Sequence, residues 1–150
     1  MNEELIEILN NISKILLIKG EIPFKSQAYK TAADIIEIQK LDVEQLVRDG
    51  TLGEVDGFGK AMVEKISDFV QNGKMTYYEK LKNEVPLSLL ELLDIEGLGT
   101  KRVSKLWKEL NVNNKEELYN VIENGTIFNI DGFGKKLVDN LKIYLDEQKK

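Results

Sequence analysis

Hydrophobic residues recur at helical spacing along most of the chain. In residues 4–18, leucine and isoleucine fall on one stripe while acids and asparagine occupy the other side, as in a helix with one face in a core. No segment alternates apolar and polar residues with the period of a strand, so we predict an all-α protein. Further helices are predicted from a cap at Ser26, over 42–47 with Asp42 as the cap, over 60–70, from Thr76, over 100–110, over 116–122 with Asn113 as the cap, and over 135–147.

One nine-residue phrase occurs three times, at 55–63, 95–103 and 130–138. Each copy contains a β-branched residue, an acid, glycine, a hydrophobic residue, glycine, a short step and a closing valine. The valine opens the apolar pattern of the following helix. Three copies in 150 residues indicate an internal repeat.

The Gly-hydrophobe-Gly core of each copy favours a tight hairpin between two helices. Glycine lacks a Cβ atom, so the pair permits a sharp reversal and the close approach of another backbone. The helix after the hairpin begins with free amide hydrogens, which form a ready anion site. Such a hairpin holds a phosphate through its backbone and reads no base sequence. The alternative is that the copies are only tight turns that stack helices.

The composition excludes several kinds of site. The chain has no Cys and no His, which excludes disulfides, Cys/His zinc sites and a Ser nucleophile with a His base. No apolar run approaches the ~20 residues of a membrane span, and the acidic start is unlike a signal peptide. We therefore expect a soluble, cytoplasmic monomer with no membrane partner.

The distribution of charge matters more than its sum. A net charge of −5 argues against a nucleic-acid binder that works through bulk positive charge. The helix after the second hairpin nevertheless carries Lys101, Arg102, Lys105 and Lys108 before its first acid, Glu109. Local positive patches on an acidic body are therefore predicted, with ordinary solvated helix faces as the alternative.

The hairpins resemble helix-hairpin-helix motifs, and their order and spacing resemble the amino-terminal part of family X DNA polymerases. The resemblance includes the segments 19–25, 28–33 and 84–86 as well as the three hairpins. It implies two small helical subdomains: residues 1–84, lyase-like and containing the first hairpin, and residues 85–150, a tandem of the other two. The candidate DNA-binding residues are Gly57, Gly59, Lys60, Gly97, Gly99, Thr100, Lys101, Arg102, Lys105, Gly132, Gly134, Lys135 and Lys136.

The resemblance also implies a candidate catalytic group in the first subdomain. In members that act as 5′-deoxyribose phosphate lyases, a lysine on the helix after the first hairpin forms a Schiff base with an abasic sugar, and Lys65 is the matching residue. Lys25 and Tyr29 match residues that hold the phosphate and orient the sugar. A lysine amine attacks a carbonyl only when it is deprotonated.

The chain departs from the lyase pattern at three positions. Phe24 stands where some lyase members have His. Ala61 and Tyr77 stand where they have phosphate-binding lysines. Lys60 and Lys74 are close enough in sequence to substitute for them.

The resemblance further implies a monovalent cation, Na⁺ or K⁺, at the hairpins, and no other cofactor is expected. The cation would bridge outward carbonyl oxygens to a DNA phosphate. Polymerisation in this family requires a palm domain whose carboxylates bind Mg²⁺, and the chain has no Asp-x-Asp pair. This chain alone is therefore not expected to polymerise DNA, although a palm domain in a longer chain is a candidate partner. The candidate carbonyl donors are those of Gly53, Val55, Phe58, Leu93, Ile95 and Leu98.

Three functions follow from these patterns. The leading hypothesis is sequence-independent binding of the DNA backbone at gaps, nicks or 5′ ends in base excision repair. The second is a 5′-deoxyribose phosphate lyase that uses Lys65. The third is a helical scaffold that binds other proteins through an exposed apolar patch, for which residues 87–93 are the candidate.

Overall fold

The computed structural model describes residues 2–148 and divides the chain into two compact units. The first unit comprises the residues up to Leu17 together with Glu21–Glu84, and the second comprises Ile18–Gly20 and the residues from Val85 onward. No strand occurs within residues 2–148, and the predicted all-α class is confirmed. That residues 1–84 and 85–150 are separate subdomains stays a prediction, with Ile18–Gly20 grouped differently in the structure.

The first unit is a set of helices around a leucine- and isoleucine-rich core. Helix α1 buries Leu5, Leu9 and Ile12, which follow one another at helical spacing. A short 3₁₀ turn, Leu52–Glu54, leads into the first hairpin. The helices are α1 (Asn2–Lys19, whose last two residues group with the second unit), α2 (Pro23–Ile38), α3 (Val43–Asp49), α4 (Lys60–Asn72) and α5 (Thr76–Glu84).

The second unit repeats the helix-hairpin-helix plan twice. Its core includes Val103 and Leu106 from the helix after the second hairpin, and Val138 and Leu141 from the helix after the third. A 3₁₀ turn, Thr126–Asn129, precedes the third hairpin. The helices are α6 (Ser88–Leu92), α7 (Thr100–Leu110), α8 (Lys115–Glu123) and α9 (Lys135–Gln148).

The predicted cap at Ser26 is wrong. Helix α2 begins three residues earlier with Pro23 in its first turn and Ile22 as the N-cap residue, because the fixed φ of proline suits the first helical position. Ser26 is instead buried. Its hydroxyl donates to the backbone carbonyl of Ser13 at 2.9 Å, and the two serine hydroxyl oxygens are 2.8 Å apart. The serine ties α2 to α1.

The predicted cap at Asn113 is wrong by one residue, whereas the cap at Asp42 is confirmed. The Asn114 side chain accepts a hydrogen bond from the backbone N–H of Glu117 at 2.8 Å. Asn113 precedes the cap, and its backbone N–H donates to the Glu117 carboxylate at 2.8 Å. Together these bonds satisfy two of the amides around the helix start, as in a capping box. Asp42 accepts from the backbone N–H of Gln45 at 3.2 Å.

Residues 87–93 alternate between buried and partly exposed side chains, and the apolar patch expected there stays a prediction. Leu89 and Leu92 are fully buried, and Leu87 is 39% exposed. The Ser88 hydroxyl donates to the backbone carbonyl of Asn113. Across residues 2–148, no helix combines the length and apolar character needed to cross a membrane.

Candidate functional site

The first glycine of each hairpin has a backbone conformation that other residues rarely adopt. The φ angles are +98° at Gly57, +95° at Gly97 and +91° at Gly132. Space is also restricted at two of the three positions. A Cβ atom at Gly57 would lie 2.6 Å from Ile35 Cδ1, and one at Gly97 would lie 2.7 Å from Leu137 Cδ1. All three hairpins therefore favour glycine here for its conformation, and a nearby side chain adds a steric reason at Gly57 and Gly97.

The second glycine of each hairpin lies at the start of the following helix. Gly59 and Gly99 are the N-cap residues of α4 and α7, and neither helix start has a side-chain cap. The first i to i−4 bonds run from Val63 to Gly59, from Val103 to Gly99 and from Val138 to Gly134, each 3.0 Å long. The backbone N–H groups before these valines, in the first turn of each helix, therefore have no acceptor within the helix. A Cβ atom at any of the second glycines would meet nothing within 4 Å, so the space beside each of these glycines is open.

The hydrophobic residue between the glycines anchors each hairpin, as the sequence indicates. Phe58, Leu98 and Phe133 are all buried. The Phe58 amide donates to the Val55 carbonyl at 3.2 Å, and the Leu98 amide donates to the Ile95 carbonyl at 3.0 Å. These bonds close the first and second hairpins around a buried side chain.

Several predicted basic residues surround the helix starts. Lys60, Lys101, Lys135 and Lys136 are exposed, and Thr100 is partly exposed. A cation in the first turn of a helix adds its charge to the positive end of the helix dipole. Each hairpin therefore combines an open glycine at the helix start with at least one nearby exposed lysine.

Arg102 and Lys105 make contacts that the sequence does not predict. Arg102 Nη1 donates to the Gly97 carbonyl at 3.0 Å, and its Nε donates to the Gly132 carbonyl at 3.2 Å. Lys105 Nζ donates to the Asp131 carbonyl at 3.2 Å. A cleft of about 310 Å³ lies between the second and third hairpins, lined by Gly99, Lys101, Arg102, Lys105 and Gly132.

One other basic residue of the third repeat is paired with an acid. Lys142 Nζ lies 3.0 Å from the Glu123 carboxylate. The hydrogen bond with this carboxylate and its charge raise the pKa of Lys142. Among the basic residues of the third repeat and its helix, Lys135 and Lys136 are therefore the two that lie at the start of α9.

The structure brings the three candidate catalytic residues to one pocket in the first unit. This pocket, of about 500 Å³, is lined by Lys25, Tyr29 and Lys65 together with the glycines of the first hairpin. Its wall is largely apolar and includes Phe24, which is 84% exposed. Neither Lys60 nor Lys74 is among the residues that line it, and Lys74 lines a different cleft beside Phe69 and Met75.

Tyr77 joins two of these residues. Its ring stacks on the Tyr29 ring with centroids 5.8 Å apart and planes 10° apart. The Lys65 ammonium lies 4.7 Å from the centroid of the Tyr77 ring, within the range of a cation–π contact. Burial, followed by interaction with Tyr77, raises the pKa of Tyr29 well above its usual value. From the sequence, Tyr77 is notable only because it stands where lyase members have a lysine. Its stack on Tyr29 joins residues 48 apart, and such a contact leaves no local sequence signal.

The hairpin carbonyls have the donor chemistry of a Na⁺ or K⁺ site. Oxygen is the ligand that hard cations prefer. The Val55 and Ile95 carbonyls each accept one hydrogen bond within the hairpin, which leaves a second lone pair on each. Within residues 2–148 no group of three or more acidic side chains is placed to hold a metal ion. The residues of the two hairpins thus fit a carbonyl-bound cation.

Comparisons with known proteins match both units. Residues 1–75 match the family model of a helix-hairpin-helix domain, and residues 89–147 match that of a SAM-like helix-hairpin-helix tandem. The chain is 33% identical over 145 residues to the DNA polymerase/3′-5′ exonuclease PolX of Bacillus subtilis strain 168, which covers 97% of this chain. The predicted resemblance to family X polymerases is confirmed.

A shorter similarity involves a DNA ligase of Natranaerobius thermophilus. The two are 35% identical over 66 residues, which is 44% of this chain. The chain spans 25% of the PolX relative and 10% of the ligase. The likeness therefore concerns one part of each relative.

Proposed function

Because this chain belongs to the helix-hairpin-helix domain family, we propose that it binds DNA through the phosphates of the backbone, without regard to base sequence. The observation that carries the proposal is the common geometry of the three hairpins. In each, a buried hydrophobic residue fixes a turn, and the next helix begins at an open glycine. The names of the two relatives, a DNA polymerase and a DNA ligase, support DNA as the ligand.

In the proposed complex, both backbone amides and lysine side chains contact the DNA phosphates. The first-turn amides donate to phosphate oxygens at a helix N-terminus, and Lys101, Lys135 and Lys136 supply charge nearby. Phosphate contacts fix position on a duplex but carry no sequence information. Binding through them is therefore expected to depend strongly on salt and weakly on sequence.

The substrate we propose more specifically is gapped, nicked or 5′-ended DNA in repair. Support comes from the match over 97% of the chain to PolX and from the pocket that adjoins the first hairpin. In this proposal, the second and third hairpins grip a duplex and the first lies at an interruption of the strand. In a longer chain, a palm domain would act on the DNA so held.

A titration with three substrates tests this proposal. Gapped, nicked and intact duplexes of two unrelated sequences are compared at one salt concentration. We expect no difference between the two sequences, and tighter binding of the interrupted duplexes than of the intact one. Negligible affinity for all three would contradict DNA binding, whereas equal affinity for all three would contradict only the preference for interruptions.

We also propose that Na⁺ or K⁺ at the hairpin carbonyls assists the phosphate contact. The candidate donors in the first hairpin are Gly53, Val55 and Phe58. Those in the second are Leu93, Ile95 and Leu98. Replacing K⁺ by tetramethylammonium at equal ionic strength tests the idea, because the bulky cation cannot enter between carbonyls. Weaker DNA binding is expected, and an unchanged affinity would contradict a bound cation.

A second function is favoured by the pocket that contains Lys25, Tyr29 and Lys65. We propose a 5′-deoxyribose phosphate lyase activity in which Lys65 is the nucleophile. Lys25 would hold the phosphate at the mouth of the pocket, and Tyr29 would orient the sugar. The PolX relative supports a DNA substrate for this pocket.

The proposed reaction begins with a neutral Lys65 amine. The amine attacks the C1′ aldehyde of an incised abasic sugar, and water leaves as the Schiff base forms. A base then removes a C2′ proton, the C3′–O3′ bond breaks with its electrons going to oxygen, and the 5′-phosphorylated strand departs. Hydrolysis finally releases the unsaturated sugar phosphate and restores the amine.

Borohydride trapping on an incised abasic duplex tests the lyase proposal. Reduction of the Schiff base should attach the sugar to Lys65, and Lys65→Ala should abolish the adduct. Lys60→Ala is the matched control, because Lys60 is an exposed lysine on the first turn of the same helix. An adduct that persists in Lys65→Ala would contradict the assigned role.

A further inference from the structure

We propose that Arg102 is a positioning residue that locks the second and third hairpins together, and that it does not serve as a phosphate ligand. The sequence predicts the opposite role for Arg102. The part of this inference that concerns DNA affinity rests on the proposed function, whereas the lock itself is a property of the free protein.

The lock joins equivalent positions of two repeats. Gly97 and Gly132 are the third residues of their copies, and the Arg102 guanidinium donates to both carbonyls, at 3.0 and 3.2 Å. Lys105 adds a bond to the Asp131 carbonyl at 3.2 Å. Two side chains of α7 therefore hold backbone on both sides of the cleft between the hairpins.

The contact is reciprocal. Arg102 and Leu137 are the eighth residues of the second and third copies. Each lies against the first glycine of the other hairpin: Arg102 bonds to Gly132, and Leu137 Cδ1 lies 2.7 Å from the position of a Cβ atom on Gly97. The hydrogen bond from Arg102 to Gly132 and the apolar contact of Leu137 with Gly97 together set the spacing between the second and third hairpins.

Arginine is suited to this task and lysine is not. The planar guanidinium presents five donors in a fixed fork, so one side chain can bond to two separate carbonyls. A lysine ammonium is a single point on a flexible stem and cannot reproduce that geometry. The eighth residue of the first copy is Met62 and that of the third is Leu137, so only the second of the three copies has arginine at this position.

A fixed spacing makes two weak phosphate sites act as one. When two sites are held at the separation of their targets, binding of the second is effectively intramolecular. If the two hairpins move relative to each other, DNA binding must order them, and the entropy lost in that ordering lowers the affinity. Arg102 therefore contributes to affinity through the hairpins and not through its own charge.

Two measurements on Arg102→Gln and Arg102→Lys test the inference, and Lys101→Gln is the matched control for the first of them. Lys101 is exposed on the same first turn of α7. The first measurement is amide hydrogen exchange at residues 131–134 in DNA-free protein, with core amides of α7 as the reference for global unfolding. Because both variants lose the charged guanidinium donor that bonds to the hairpin carbonyls, we expect exchange on the order of 10-fold faster in both Arg102 variants and unchanged in Lys101→Gln.

The second measurement is affinity for duplex DNA. We expect Arg102→Lys and Arg102→Gln to weaken binding about equally, because both remove the bridge that positions the hairpins. Unchanged exchange in Arg102→Gln would overturn the lock. Recovery of affinity by Arg102→Lys but not by Arg102→Gln would show that charge matters and would make Arg102 a phosphate ligand. If the unaltered protein fails to bind DNA, the exchange measurement still decides whether the lock exists.

Discussion

The ammonium nitrogen of Lys65 lies 4.7 Å above the ring of Tyr77. The Tyr77 ring also stacks on the Tyr29 ring, with 5.8 Å between the two centroids. These three side chains come from α4, α5 and α2 and form one layer beside the pocket of the first unit. An amine held on an aromatic face must leave it to reach a substrate carbonyl, so Tyr77 contributes both to stability and to the placement of the candidate nucleophile.

Tyr77→Leu is expected to destabilise the protein by about 1–2 kcal/mol. The change removes an aromatic pair worth ~0.5–1.5 kcal/mol and a cation–π contact worth ~0.5–1 kcal/mol. Lys65→Met removes the second contact alone and should cost less than about 1 kcal/mol. Urea unfolding measures both variants, and equal stabilities for Tyr77→Leu and the unaltered protein would show that the layer contributes nothing.

The two glycines of one hairpin are expected to differ in their tolerance of alanine. Gly97→Ala places a Cβ atom at a φ of +95° and 2.7 Å from Leu137 Cδ1, and the strain of φ alone costs ~1–2 kcal/mol. Gly99 has a φ of −99° and open space around it, so Gly99→Ala should cost less than about 1 kcal/mol. Thermal unfolding compares them, and a larger loss for Gly99→Ala would refute this account of the hairpin.

The buried serine pair offers a test of satisfied hydrogen bonding. Ser26→Ala leaves the Ser13 hydroxyl without its partner oxygen at 2.8 Å, and a buried polar group that loses its partner costs ~1–3 kcal/mol. Removing both hydroxyls should cost less than the sum of the two single changes, because neither is then left unpaired. Strict additivity in a double-mutant cycle would argue against a coupled pair.

The stability contributed by Asp68 should depend on pH. Asp68 accepts hydrogen bonds from the Thr76 backbone N–H at 2.8 Å and from the Asn72 side chain at 2.7 Å. These bonds, the first most of all, lower the pKa of Asp68. A lowered pKa in the folded state means that the contribution is present above the unfolded-state pKa and is lost as pH falls through the folded value.

The urea midpoints of Asp68→Ala and the unaltered protein should therefore differ most near neutral pH. The difference should shrink as pH falls from about 5 to 2. Glu64→Ala, which removes an exposed acid from the same helix, is the control. A midpoint difference for Asp68→Ala that stays constant over this range would contradict the role of the ionised carboxylate.

The sequence predicts the helices and the hairpins because both depend on local patterns. Helical apolar spacing identifies α1 and α4, and the repeated glycines locate all three turns. The predicted start of α2 is wrong because the helix begins at Pro23, three residues before Ser26, although serine commonly caps a helix. Ser26 instead forms a hydrogen bond to Ser13 of another helix, and no local sequence pattern reveals such a contact.

The candidate site is less accessible to sequence reasoning than the fold. A count of charges along α7 treats Lys101 and Arg102 alike. The structure separates them, since Arg102 bonds to a carbonyl 30 residues away. The layer of Tyr29 and Tyr77 is missed for the same reason, because it depends on residues that only the folded chain brings together.

The dependence of duplex affinity on salt tests the central claim most directly. The logarithm of the affinity should fall linearly with the logarithm of salt concentration, by ~0.9 for each phosphate contacted. Lys135→Gln combined with Lys136→Gln should make the slope shallower, and a paired change at exposed lysines outside the hairpins, Lys14 and Lys80, should leave it unchanged. A slope near zero, or equal slopes for both pairs of changes, would contradict phosphate binding by the hairpins.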